Sequence, residues 1–155
     1  MLILLFWTLV IAYCDLRCRR IGNRLTYPFL LLTVAWLLIN AESLAGVSPL
    51  YALTGLACAL ALTIPGHMLG ILGGGDVKLM AGIGLTLGGM ATLLVIAIAA
   101  LLLVAWTVLM ALLPASTLGL LQRYAPGLAN QQNHFAYGPF VFLALATLQI
   151  VGKLY

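Results

Sequence analysis

Six apolar segments separated by short polar breaks make up almost the whole of this chain, and that pattern leaves few folds open. They run from Leu2 to Tyr13, Leu25 to Ile39, Leu50 to Leu72, Val77 to Leu87, Thr92 to Leu113 and Ala136 to Val151. Hydrophobic residues are 65% of the 155 and charged ones 6%, against roughly 25% charged in an average soluble domain. So little polar surface cannot cover a water-soluble globule. The expected fold is an all-α integral membrane protein, one membrane-embedded domain over residues 1–155. A span of about 20 residues leaves room for about six helices and none for a separate soluble domain. The short first and fourth segments are expected to extend past their apolar cores, since membrane helices carry polar ends at the interface.

The breaks carry turn chemistry. Asn40 to Ser43 with Gly46 to Pro49 form one, and Gly88-Gly89 another. Pro114, Pro126 and Asn130-Gln131-Gln132-Asn133 mark the longest, a stretch that reads equally as a lid or a connector. Orientation follows from the basic residues. Arg17, Arg19, Arg20 and Arg24 lie between segments one and two, Lys78 follows segment three, and Arg123 lies between segments five and six. If all six segments cross, every basic residue but Lys153 falls on one face, which the positive-inside rule makes cytoplasmic. The N-terminus and Glu42 are then outside.

The net charge of +4 therefore reports topology, not a nucleic-acid partner. No basic face with interleaved aromatics is present. Cys14, Cys18 and Cys58 are an odd set with no CxxC pair, and no metal site is expected. His67 and His134 read as polar loop or interface residues. The arginines follow the first apolar run instead of preceding it, so it does not read as a signal peptide.

Against this background only three residues are acidic: Asp15, Glu42 and Asp76. Carboxylates at the edge of a bilayer are costly and usually functional. The derived topology puts Asp15 and Asp76 on the same, cytoplasmic, face. Two carboxylates brought together do not both ionise easily, so one keeps a proton. The charged one can take a proton from water while the other donates to a carbonyl oxygen, which is peptide hydrolysis without a covalent intermediate. Their titration belongs to the pair. Structural readings stand beside this one. Asp76 fits the N-cap of segment four, and Asp15 fits an interface charge paired with Arg19. Lys78 fits either a bias on Asp76 or a side chain snorkelling to lipid phosphates. Gly82, Gly84, Gly88 and Gly89 suit close approach of a substrate helix, or helix packing inside the protein.

Three stretches then match a known family in order. Asp15-Leu16-Arg17-Cys18-Arg19-Arg20-Ile21-Gly22-Asn23 resembles the first aspartate motif of the type IV prepilin peptidases. Gly73-Gly74-Gly75-Asp76-Val77-Lys78 resembles their GxGD motif. Phe135-Ala136-Tyr137-Gly138-Pro139-Phe140 resembles the element that opens their last helix. The resemblance implies an intramembrane aspartic endopeptidase with Asp15 and Asp76 as catalytic residues. It implies Gly73, Gly75, Lys78, Asn23, Arg20, Tyr137 and Gly138 as supporting or substrate-binding residues. The implied substrate is a prepilin or pseudopilin, cut at the cytoplasmic face of the bacterial inner membrane. Many members carry proline where this chain has Gly22 and Ala136; neither change touches a carboxylate. The cytoplasmic insertion with paired CxxC motifs found in bifunctional members is missing. Cleavage without N-methylation, no cofactor and no zinc are expected, as in the compact peptidases of Flp-type (Tad) pili. Two rivals remain from other classes: a small proton- or ion-coupled carrier, and a non-enzymatic pilus or secretion assembly subunit.

Overall fold

A computed structural model describes residues 2–18, 23–70, 72–112 and 137–151 of the 155. Among the described residues there are six helices: α1 (Leu2–Cys18), α2 (Asn23–Asn40), α3 (Pro49–Met68), α4 (Gly74–Leu87), α5 (Gly89–Leu112) and α6 (Gly138–Val151). The first segment does extend, carrying the helix past Tyr13 through Asp15 to Cys18. The third stops earlier than its apolar run suggests. Gly70 takes φ 73°, and Leu69 and Gly70 turn their N–H groups back to the carbonyls of Pro65 and His67. A left-handed residue of this kind ends a helix, and glycine adopts it without steric cost.

The helices close into a ring. α1 packs on α2 and α6, α2 on α4, α4 on α3, α3 on α5, and α5 on α6; α4 also touches α5. Cross-links between elements show that successive helices alternate in direction. Ser43, in the α2–α3 turn, bonds the Thr86 carbonyl at the end of α4 (2.7 Å). Tyr51, at the start of α3, accepts from the N–H of Met90 at the start of α5. At the opposite end, Lys78 of early α4 reaches Tyr27 of early α2, and the start of α6 meets the end of α1.

Helix α4 is the centre of this arrangement: every residue from Leu79 to Gly89 is buried. Its glycines make that possible. A side chain on Gly84 would run into the Gly55 backbone of α3, and one on Gly82 into the Phe29 ring of α2. Gly88 (φ 81°) faces Tyr51, and Gly89 faces Thr54. All four glycines therefore serve contacts inside the molecule, and the alternative reading, contact with a substrate helix, does not hold for them. The core around α4 is built from Phe29, Leu79, Met80, Ile83, Val95 and Val141. Trp7 stacks on Phe29 and donates its indole N–H to the Leu25 carbonyl.

The outer surface carries many large apolar side chains. Leu31, Leu38, Leu101 and Leu112 are all exposed. α3 and α5 are long and apolar enough to cross a membrane, with only 22% and 17% of their apolar windows buried. The core helix of a soluble protein would be mostly covered. Four buried hydroxyls are satisfied locally: Thr8, Thr63, Thr86 and Thr92 bond carbonyls four residues back in the chain, the usual arrangement for threonine in an apolar helix.

Candidate active site

The alternation of helix directions brings the end of α1 and the beginnings of α4 and α6 to one end of the ring. Asp15 sits in the last turn of α1 and is 4% exposed. Its Oδ2 accepts the backbone N–H of Gly138 at 2.9 Å. Gly138 opens α6, so that N–H has no partner within its own helix. The carboxylate supplies one. The contact is tight: a Cβ on Gly138 would lie 3.0 Å from Asp15 Oδ2 and 3.3 Å from its Cβ.

Asp76 is 7% exposed. It is not the N-cap of α4. Gly73 holds that position, and Asp76, three residues on, reaches back with Oδ2 to the Gly73 N–H at 3.1 Å. This is the returning half of a capping box; glycine has no side chain to complete the other half. A carboxylate in the first turn is also favoured by the helix dipole. The other oxygen, Asp76 Oδ1, is buried and has no hydrogen-bond partner. Such an atom in a native fold calls for an explanation, and a reactive role is one of the few available.

The two carboxyl groups share a neighbourhood. Asp15 lies close enough for its charge to act on Asp76, and the Tyr137 hydroxyl lies within the field of Asp76. Tyr137 is 7% exposed and directly precedes Gly138. The site thus gathers Asp15, Asp76, Gly73, Tyr137 and Gly138. Gly75 stands in the first turn of α4 beside them. The Lys78 ammonium, from the same helix, donates to the Tyr27 hydroxyl at 3.1 Å and sits 4.2 Å from the centre of that ring. Tyr27 had no distinguishing signal in the sequence beyond being aromatic.

Arg17 lies over the Tyr13 ring. His67 bonds the Leu72 carbonyl through Nδ1 at 3.0 Å, which pins the α3–α4 connection. Asn23 opens α2. Arg19, Arg20, Gly22, Arg123, His134 and Ala136 lie outside the described residues, as does the whole stretch from 113 to 136. Among the described residues no cluster of three His, Cys, Asp or Glu side chains converges to hold a metal, and Cys14 and Cys58 are free thiols.

A site of this kind offers two buried carboxyls, one with an unengaged oxygen. It is equipped to hold one proton between two acids and to activate a water. Comparison with protein families matches residues 2–121 to the family described as the type IV leader peptidase family. The match contains Asp15 and Asp76 but ends before Tyr137 and Gly138; the bond from Gly138 to Asp15 ties that stretch to the site. Comparison with curated proteins and with solved structures returned no match.

Proposed function

Because the chain belongs to the type IV leader peptidase family, we propose that it is an intramembrane aspartic endopeptidase using Asp15 and Asp76. Its substrate on this reading is a type IV or Flp-type prepilin or pseudopilin, from which it removes the leader peptide. The observation that carries the assignment is that two carboxyls, from helices far apart in sequence, are buried at one end of the ring. Burial of two acids is expensive, and a structural role would be better served by neutral residues.

In the proposed mechanism the prepilin's apolar helix lies in the bilayer beside the peptidase, with its leader junction at the end of the ring that holds the dyad. One aspartate, ionised, takes a proton from water as the water attacks the scissile carbonyl. The other, protonated, donates to the carbonyl oxygen. Each holds its rotamer through a backbone N–H, from Gly138 and Gly73 respectively, so the acids are pre-aimed. The pair then exchanges roles as the amine leaves.

The same reading sets the topology: six crossings, the N-terminus outside, and the dyad at the cytoplasmic face of the bacterial inner membrane. Its support is that Arg17, Arg24 and Lys78 all belong to helix ends on the dyad's side of the ring, as the positive-inside rule asks. We take the reaction to stop at cleavage, without N-methylation. The test is purified protein in lipid vesicles with a prepilin, and mass measurement of both products. The expected result is a released leader and a mature pilin with an unmodified amino terminus. An intact prepilin, or a pilin carrying an added methyl group when a methyl donor is supplied, would contradict it.

A further inference from the structure

The two carboxyls are held by backbone donors of unequal standing. Gly138, which holds Asp15, is the first residue of α6, and the helix fixes where its N–H points. Gly73, which holds Asp76, is the N-cap of α4 and lies outside the helix, after the bend at Leu72. Glycine turns about φ at little steric cost. The peptide between Leu72 and Gly73 is therefore free to turn over unless something fixes its other end.

His67, in the last turn of α3, fixes it. Its Nδ1 lies 3.0 Å from the Leu72 carbonyl oxygen. A carbonyl only accepts, so Nδ1 carries a proton and donates it to this bond. The Leu72 carbonyl and the Gly73 N–H belong to one peptide group. That group is planar and trans, so its C=O and N–H point in opposite directions. Two hydrogen bonds in series thus run from the His67 ring through one rigid peptide to Asp76 Oδ2, 3.0 Å on one side and 3.1 Å on the other. Bonds in such a chain polarise and strengthen one another.

The surroundings keep ring and peptide in register. The Leu72 N–H donates to the Gly66 carbonyl at 3.1 Å. The Leu72 side chain lies over Gly66, where a Cβ would fall 2.7 Å from Leu72 Cδ1. The other edge of the imidazole lies near Gly74, whose Cβ, if it had one, would stand 3.5 Å from Cε1 and 3.8 Å from Nε2.

From this geometry we infer that His67 is a positioning residue for the reaction: through the Leu72–Gly73 peptide it holds Asp76 with Oδ2 engaged and Oδ1 left for the attacking water. The inference rests on the peptidase reading of the dyad. Oδ1 is the buried oxygen without a partner. If the Gly73 N–H swings away, the carboxyl loses the contact that sets its rotamer, and Oδ1 loses its aim. His67 itself is exposed, so its ring is not needed to fill the core and can be replaced without opening a cavity.

The experiment uses the full chain in vesicles with a prepilin and compares wild type with His67→Asn and His67→Leu. The two replacements have nearly the same shape. Only asparagine carries an N–H donor on Cγ, where the imidazole carries Nδ1. His67→Leu is expected to lower kcat by roughly tenfold to a hundredfold, the scale on which a misplaced catalytic group acts, with KM unchanged. His67→Asn is expected to recover most of that loss. Rates are referred to the folded fraction, measured by thermal inactivation. His67→Ala, which also lacks the donor, is expected to match His67→Leu and decides the matter if the leucine variant does not accumulate. Equal kcat in the asparagine and donor-less variants, whether all are normal or all are low, would refute the positioning role and leave the peptidase standing. A rise in KM at unchanged kcat would refute it too, since that marks contact with substrate. Failure of the wild type to cleave would refute the peptidase reading and this inference with it.

Discussion

Gly138 and Asp15, 123 positions apart in the chain, are joined by one backbone hydrogen bond of 2.9 Å that ties the end of α1 to the start of α6. This bond fixes the Asp15 carboxyl and caps the start of α6 at the same time. The space around it is closed. Gly138→Ala should therefore lower leader cleavage and stability together, with a packing cost of about 1–3 kcal/mol. Gly138→Val should cost more. Thermal inactivation in detergent, followed by the cleavage rate of the surviving protein, separates the two effects.

The crossing of α3 and α4 allows less. A Cβ on Gly84 would meet the Gly55 carbonyl, lying 2.7 Å from its carbon and 3.0 Å from the Leu56 nitrogen. Backbone cannot rotate out of the way. Gly84→Ala is expected to cost about 3 kcal/mol or more and to reduce the amount of folded protein in the membrane. Gly46→Ala is the control. Nothing lies within 4 Å of that position, so only the strain of its positive φ remains, about 1–2 kcal/mol. Abundance and thermal inactivation of the two variants should rank in that order.

Ser43 organises the end of the ring away from the dyad. Its hydroxyl donates to the Thr86 carbonyl at 2.7 Å and accepts from the N–H groups of Ala45 (3.1 Å) and Val47 (3.2 Å). Ser43→Ala removes the side-chain partner of all three groups. A loss of about 1–3 kcal/mol is expected, with cleavage by the folded fraction unchanged, because the dyad is at the other end. A fall in rate without a fall in stability would show that the two ends are coupled.

How far the chain disclosed this in advance depended on contrast. Asp15 and Asp76 stood out because so few residues are charged, and counting the apolar runs between them was enough to put both at one end. The α4–α5 break was visible as Gly88-Gly89. The end of α3 was not, because Leu69, Ile71 and Leu72 continue the apolar run across the Gly70 turn. Asp76 read as an N-cap because it ends a glycine run, but its helix starts at Gly74 and the carboxylate caps from inside the first turn. Gly84 read as a glycine for close helix approach, but Gly55 carried no signal, and only the crossing of α3 and α4 makes the two partners.

The central claim is that Asp15 and Asp76 together hydrolyse a prepilin. Asparagine is the informative substitution at both positions, because its carbonyl oxygen can still accept the N–H of Gly138 or Gly73 while the acid is lost. The measurement is processing of a co-expressed prepilin by wild type, Asp15→Asn and Asp76→Asn, read as pilin size on a gel with the membrane abundance of each peptidase checked. The account predicts full-length prepilin in both single variants at normal abundance. Mature pilin in either variant, at a rate comparable to wild type, would remove that aspartate from the reaction and contradict the dyad.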